Sequence, residues 1–243
     1  TSGSGSIIEH ADVRRMLASM KADIFAARSI ALMNAVAIDM ATATGDATWR
    51  ARAAFLTPIC KAFGTDVGIE VASTGIQVHG GMGFVEEAGA AQYYRDVRVT
   101  AIYEGTNGIQ AMDLVARKLM DGGEAALAIL DEIEAGADAA KVTQPDLAST
   151  VWSAAASLRE ATEWLVDQDL TDRFAGAVPY LRAFARVLGG HAHLAAATSG
   201  DAARARLAAF YINRLLPEHT SLLAHTREGA SDLMAITIND LGT

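Results

Sequence analysis

With a single cysteine, Cys60, the chain cannot form an internal disulfide, so cross-linking plays no part in holding it together. The neighbours Ile59 and Phe63 point to a packed thiol rather than a nucleophile, and the composition suits a reducing, cytoplasmic setting. Aromatic residues make up only 6% of the chain and prolines number four, so neither large rings nor frequent chain breaks shape the fold. Basic residues are too few to offset the acidic ones. The net charge of −9 excludes nucleic acid and anionic membrane surfaces as main partners. No uninterrupted apolar run is expected to span a bilayer, and no charged-then-apolar leader resembles a signal peptide. The six histidines show no ligand spacing: His191 and His193 are two apart, His219 and His225 six apart, and His10 and His79 stand alone. No metal site is expected from them.

What is present is alanine and leucine within 243 residues that are 51% hydrophobic, a composition that favours helix and supports a sizeable core. Core-facing residues recur at helical spacing from Asp12 to about Thr44 (Val13, Met16, Leu17, Met20, Ile24, Ala27, Ile30, Ala31, Asn34), with Asp12 as N-cap and Gly45 as stop. A second helix is expected from near Thr48 toward Ser73, with Pro58 marking a kink or a first turn. Gly75 to Gly89 is too rich in glycine for regular helix. A short amphipathic segment covers Ala90 to Val97, Val99 to Thr106 is irregular, and Ile109 to Met120 returns to helix before Gly122-Gly123. The remainder predicts a short helix at Glu124–Glu134 and a polar connector at Gly136–Pro145. A helix capped by Asp146 follows to about Gln168. The next segment, capped by Asp172, carries Pro179 and ends at Gly189-Gly190. Helical turns over His191–Ala197 and Asp201–Leu215 and a last stretch at Ser221–Gly229 complete it. Period-two alternation is missing throughout. The expected fold class is all-α: a helical bundle over residues 1–122 followed by a second helical domain over residues 123–243, with residues 1–6 a flexible Gly/Ser linker.

Two segments carry chemistry. Glu104 stands directly before Gly105 between helical segments, and the glycine removes the side chain that would block close approach of a substrate. A base that takes a proton beside a carbonyl must be partly desolvated, and Ile102 and Tyr103 offer an apolar wall. On residue chemistry alone, a surface turn before a helix is the commoner use of such a carboxylate. Some twenty residues upstream, Gln77-Val78-His79-Gly80-Gly81-Met82-Gly83-Phe84 can turn backbone N–H groups toward an anion, though it matches neither a Walker loop nor a dinucleotide fingerprint, and a helix–helix turn needing positive φ explains it equally well. Thr106 suits the cap of the helix beginning near Gly108, with Gln110 in its first turn. Arg95, Asp96 and Arg98 pair locally or help to position the Glu104 turn.

These segments together, Gln77 to Phe84, Tyr94-Arg95-Asp96, Ile102-Tyr103-Glu104-Gly105-Thr106 and Ile109-Gln110, resemble the C-terminal part of the acyl-CoA dehydrogenase family in order and spacing. Residues 124–243 resemble an additional helical domain found in an enlarged branch, which includes enzymes similar to 3-methylmercaptopropionyl-CoA dehydrogenase. Val178-Pro179-Tyr180-Leu181-Arg182 with Gly189-Gly190 supports that branch.

The resemblance implies an FAD-dependent oxidation of an acyl-CoA thioester to the 2,3-enoyl-CoA. It places Glu104 as the catalytic base for the α-proton, the flavin N5 as acceptor of the β-hydride, the Glu104 backbone N–H on the thioester carbonyl and Gly105 along the substrate. It further implies that Gln77, Val78, His79, Gly80 and Gly81 touch the FAD of a neighbouring subunit, and that Thr106, Asn107 and Gly108 lie near the adenosine-diphosphate end. A homodimer or homotetramer and an electron-transfer flavoprotein as electron acceptor follow from the same likeness. It also implies that the family's N-terminal helical domain, its β-domain and the first helix of its C-terminal bundle lie outside this chain. By itself the chain is therefore expected to be catalytically silent. The alternative is a non-catalytic helical oligomerisation module that keeps the scaffold.

Overall fold

The computed structural model describes residues 5–242, so residues 1–4 of the expected linker lie outside the described residues. Those described form helices and turns, with no strand among them, which is the all-α architecture expected. Two long helices come first: α1 (Ala11–Thr44) and α2 (Ala47–His79), joined at Gly45, whose φ of 69° ends α1, and at Asp46, whose carboxylate accepts from the Thr48 N–H. Asp12 lies inside the first turn of α1, where the N-cap is His10, because the chain is already extended at that residue.

After α2 come a single turn, α3 (Gly81–Phe84), and then α4 (Ala90–Arg98), which runs back along α2 with Val97 against Gly68. A 3-10 turn at Val99–Ala101 leads to α5 (Asn107–Arg117). The second half consists of α6 (Glu124–Ala140), α7 (Pro145–Val166), α8 (Leu170–Ala197), α9 (Ala202–Arg214), α10 (Glu218–Thr226) and α11 (Ser231–Ala235).

Helix α8 is the hub. It packs on α1, α2 and α5 of the first half and on α6, α7, α9 and α10 of the second. One continuous apolar core therefore crosses Gly122-Gly123, from Phe55 and Leu114 to Leu158, Phe184 and Leu216. The glycines expected to end helices inside this region do not. Gly136 lies within α6, and a Cβ there would stand 2.7 Å from the His191 ring. Gly189 lies within α8, where a Cβ would stand 2.2 Å from the Tyr211 hydroxyl and 2.9 Å from Ala26. Both are glycine because neighbouring elements come too close for a side chain. The connector expected at 136–145 shrinks to residues 141–144, and the α8 segment continues past Gly190 to Ala197. Likewise α2 continues through Gly75 to His79.

Cap assignments shift for the same reason. Gln144 precedes α7 with Pro145 at its start, leaving Asp146 in the first turn. Asp169 caps α8 through the Thr171 and Asp172 N–H groups, while Asp172 instead accepts from the Ala230 N–H. Pro58 and Pro179 both stand inside long helices, and Pro58 is buried.

Helix α1 buries Ala22, Ala26, Ile30, Asn34 and Ala37; of the line the spacing suggested, Ile30 and Asn34 are in the core, while Ile24 and Ala31 are not, and small alanines take their place. Small side chains let α8 approach closely, as Gly189 against Ala26 shows. The larger residues Ile24, Leu32 and Val36 then face outward. By length and composition α1 is long and apolar enough to cross a membrane, against the expectation above that no apolar run would reach that length. One such helix establishes no span, and only 22% of its apolar window is buried, so an apolar outer face remains.

Inside the core, a charged cluster links α1, α2, α8 and α10. The Arg186 guanidinium, 3% exposed, donates to the Asp23 and Glu218 carboxylates. Arg182 donates to Glu218 at 2.7 Å and to Glu70 at 2.7 Å. Burial lifts the Asp23 carboxyl above its ordinary value against the pull of Arg186. Burial acts the same way on Glu218, but the charges of Arg186 and Arg182 outweigh it and hold that carboxyl below its ordinary value.

Candidate functional site

The Glu104 turn is built by an unusual backbone. Glu104 has φ of 55°, the one non-glycine residue at positive φ among the described residues, and Gly105 follows at 88°. A left-handed conformation in a residue bearing a Cβ costs about 1–2 kcal/mol and persists only where surrounding contacts impose it. Three side chains impose it here. The Gln110 amide donates to the Glu104 carbonyl at 3.0 Å. The Lys61 ammonium donates to the Gly105 carbonyl at 2.7 Å and to the Asn107 Oδ1 at 2.9 Å. The Asn107 amide in turn donates to the Asp66 carboxylate at 2.7 Å, the Thr65 hydroxyl at 2.9 Å and the Ala62 carbonyl at 3.2 Å. Burial raises the Asp66 carboxyl above its ordinary value, opposed by that Asn107 hydrogen bond. Thr106 caps α5 as expected, its hydroxyl accepting from the Ile109 N–H.

Two consequences follow. The Glu104 N–H finds no acceptor among the described residues and stays available to an incoming carbonyl oxygen. The Asn107 side chain, by contrast, is spent inside the chain, so only its backbone is left for a ligand. Lys61, Thr65 and Asp66 were not singled out in the sequence. The available signal was a polar run, four and five residues beyond Lys61, on an otherwise apolar helix.

The Glu104 side chain is exposed, and Ile102 and Tyr103 are about half exposed at 52% and 49%. The apolar wall expected from these two residues does not close over the carboxylate within this chain. Arg95 pairs with Glu86 at 3.3 Å and Asp96 with Gln92, so neither positions the Glu104 turn.

The glycine-rich segment lies elsewhere. Gln77, Val78 and His79 form the last turn of α2, and Gly80 follows at φ of 61°. Lys61, which anchors the Glu104 turn, is sixteen residues earlier on the same helix, about 24 Å away along its axis. Helix α4 and the turns on either side of it carry the chain back over that distance, so the carboxylate and the glycine backbone form two patches of one copy rather than one pocket. The glycine patch is open: Gln77, His79, Gly80 and Gly81 are exposed, and a Cβ at Gly80 or Gly81 would meet nothing within 4 Å. No packing demand explains glycine at position 81, and its backbone is approachable by an anion. Gly83 differs, because a Cβ there would lie 2.3 Å from the Ile76 carbonyl oxygen. Beside this patch an apolar cavity of about 410 Å³ lies between α2 and α4, walled by Val71, Ala72, Tyr93 and Val97. Gly108 is half-buried in the first turn of α5.

Burial pushes the Cys60 thiol up, which fits a packed thiol. His193 is buried against Tyr211, with ring centroids 4.4 Å apart, and donates from Nε2 to the Ala22 carbonyl.

Comparison with known proteins follows the two halves of this geometry. Residues 1–120 match the family model described as acyl-CoA dehydrogenase, C-terminal domain, and residues 129–237 match the one described as acetyl-CoA dehydrogenase C-terminal like. A 3-methylmercaptopropionyl-CoA dehydrogenase of Ruegeria pomeroyi is 42% identical over 72% of this chain and 32% of its own length. A butyryl-CoA dehydrogenase of Syntrophomonas wolfei is 41% identical over 49% of this chain and 20% of its own length. The chain thus spans a third or less of these curated relatives. In fold, it is similar to Caenorhabditis elegans ACDH-11 in complex with C11-CoA, with a TM-score of 0.76 and 17% identity over 95% of this chain and 41% of that one. It is also similar to an acyl-CoA dehydrogenase complexed with FAD from Bacillus anthracis, with a TM-score of 0.63 and 17% identity over 99% of this chain and 45% of that one.

Proposed function

The chain belongs to the acyl-CoA dehydrogenase family, and from that premise we propose that it is the C-terminal portion of an FAD-dependent enzyme that oxidises an acyl-CoA thioester to the 2,3-enoyl-CoA. The observation that carries this reading is the Glu104 backbone, held left-handed by Gln110, Lys61 and Asn107 against its own preference. Such imposed strain supports a role for the side chain it presents.

In this reading the Glu104 carboxylate takes the α-proton of the thioester. The free Glu104 N–H donates to the thioester carbonyl oxygen, where negative charge develops as the α-carbon loses its proton. Gly105 lines the substrate, and any larger residue there would carry a strained φ and press on the Gln110 amide at 3.3 Å. FAD, when bound, supplies the acceptor for the hydride that leaves the β-carbon. The segment Gln77, Val78, His79, Gly80 and Gly81, exposed at all but Val78, fits contact with a cofactor held by a neighbouring subunit. The backbone of Thr106, Asn107 and Gly108 fits contact with its adenosine-diphosphate end. Because Glu104 is exposed in this chain, its desolvation comes from the substrate and from protein surfaces beyond residues 1–243. The chain alone is then inactive. The proposal extends to a homodimer or homotetramer, to an electron-transfer flavoprotein as electron acceptor, to a cytoplasmic setting, and to a division into units 1–122 and 123–243 that share one core.

Replacing the base tests the assignment. Glu104→Gln in the full-length protein is expected to lower turnover by about 10²–10⁴-fold while sparing flavin binding. Turnover unchanged from the parent enzyme would remove Glu104 from the role. A second reading, a non-catalytic oligomerisation module, draws on the outward apolar face of α1. It predicts a full-length protein that assembles yet neither holds flavin nor bleaches it with acyl-CoA.

A further inference from the structure

The second half of the chain reaches the Glu104 turn through a line of polar contacts. On α8, Arg182 donates to the Glu70 carboxylate at 2.7 and 3.4 Å and to Glu218 at 2.7 Å. Glu70 follows Asp66 by one turn of α2, which makes the two carboxylates neighbours on that helix. Asp66 accepts from the Asn107 amide at 2.7 Å. The Asn107 carbonyl oxygen and the Gly105 carbonyl in turn share the Lys61 ammonium, at 2.9 and 2.7 Å. The line therefore runs from α8 across α2 to the backbone that carries Glu104.

Each contact depends on the one before it. Like charges one turn apart on a helix repel, and Asp66 is half-buried, where that repulsion is stronger than in water. Arg182 answers the Glu70 charge directly. Burial raises the Asp66 carboxyl; the Asn107 hydrogen bond and the charges of Arg182 and Lys61 oppose that rise, and Glu70 adds to it. Those are the charges that act on Asp66, since α5 presents the neutral Asn107. An ionised Asp66 gives Asn107 a charge-assisted hydrogen bond, roughly twice as strong as a neutral one. Glu218 has a second partner in Arg186, so loss of Arg182 falls on Glu70 and, through it, on Asp66.

We propose that Arg182 is a positioning residue for the reaction at Glu104: it holds Glu70 off Asp66, so that the Asp66 carboxylate keeps Asn107, and with it Lys61 and the Gly105 carbonyl, in place. Through this line the second helical unit acts on the chemistry of the first. The inference rests on the dehydrogenase reading above and gives residues 123–243 a part in it.

The test is kcat and KM against pH for the full-length enzyme, with hydrogen exchange at amides 104–110 of the 243-residue chain as a readout independent of flavin. Arg182→Met is expected to lower kcat about tenfold with KM near that of the parent, the mark of a slightly misplaced catalytic group. The ionised Asp66 is the working form, and without Arg182 its carboxyl rises further, so the loss deepens as pH falls and shrinks as pH rises. Exchange at residues 104–110 is expected to quicken several-fold. Adding Glu70→Gln is expected to return most of kcat, because no second carboxylate then presses on Asp66. Asp66→Asn leaves the Arg182–Glu70 pair intact; it is expected to lower kcat by the same factor, and Arg182→Met added to it to cost nothing more. Arg159→Met, whose partners Asp131 and Glu134 lie on α6, is expected to leave kcat unchanged. If Arg182→Met does not fold, Arg182→Lys carries the test, with an expected loss of about threefold because the two-pronged hold on Glu70 is given up. An unchanged kcat in an active enzyme overturns the role of Arg182 and leaves the dehydrogenase reading intact. A loss equal at every pH and not recovered by Glu70→Gln makes Arg182 a structural residue only, and overturns it as well. A flavin-loaded parent that oxidises no acyl-CoA overturns the dehydrogenase reading and this inference with it.

Discussion

Removing Arg186 isolates one carboxylate, and the size of the effect follows from where that carboxylate sits. Asp23 is 8% exposed, and Arg186 is the partner that pairs with it. In Arg186→Met the aliphatic stem is largely kept between Phe63 and Tyr211, whose ring centroids lie 5.4 and 5.9 Å from the guanidinium. The charge is lost, and breaking a buried pair from one side costs about 3–5 kcal/mol. The carboxyl has one escape, which is to take up a proton. Holding it neutral at pH 7 against an unfolded pKa near 3.9 costs about 4 kcal/mol, at roughly 1.4 kcal/mol per pH unit. That sets a ceiling that falls with pH, to about 1.5 kcal/mol at pH 5. The sign is fixed: a carboxyl raised by burial binds its proton more tightly when folded, so the variant's stability falls as pH rises above the unfolded value. Urea unfolding of parent and variant at pH 7 and pH 5 should therefore give a loss of about 4 kcal/mol shrinking to about 1.5. In thermal unfolding the loss at pH 7 corresponds to about 8–16 °C for a chain of this size. Adding Asp23→Asn should recover most of the deficit, since no buried charge is then left unpaired. A loss below about 1 kcal/mol at pH 7, or one that does not change with pH, would refute the reasoning.

Two further perturbations probe other parts of the chain. Burial holds His193 down at about 4, the Ala22 carbonyl opposing only in part, so the folded chain resists its protonation. Stability from this residue is full above about pH 6.5 and falls by about 3 kcal/mol as pH drops through 4. Substituting His193→Gln should flatten that acid limb in pH-dependent urea unfolding, and an unchanged slope would count against the assignment. At the Glu104 turn, Asn107→Ala deprives the Asp66 carboxylate of its donor and should cost about 2–3 kcal/mol. Hydrogen exchange should report faster exchange at the Ile109 and Gln110 amides with α7 and α8 unaffected; equal protection in both forms would mean that the turn holds without Asn107.

Much of the architecture is legible in the residues taken in order. Alanine-rich periodicity marks α1, α2 and α7, and Gly45 and the glycines at 122 and 123 act as stops because all three take a positive φ, which ends a helix and favours glycine. The order of Gln77–Phe84, Tyr94–Asp96 and Ile102–Gln110 carried the family resemblance, since local sequence records local backbone demands such as the positive φ of Gly80 and Gly105. Other features depend on partners far away in the chain. Gly136 and Gly189 read as breaks but are contact points, and what requires glycine is His191 in one case and Tyr211 and Ala26 in the other. The outward turn of Ile24 and Leu32 was hidden because α8, more than 130 residues later, selects the small-residue face of α1. The support of Glu104 by Lys61 and Asn107 was hidden for the same reason, as was its distance from the Gly80 patch, which the return path of α4 sets. The sequence by itself determined that this chain is helical and which family it belongs to. Tertiary structure decided which helix face is core, which glycines are packing and which groups hold the Glu104 turn in place, because those choices depend on close approach between segments that no local pattern encodes.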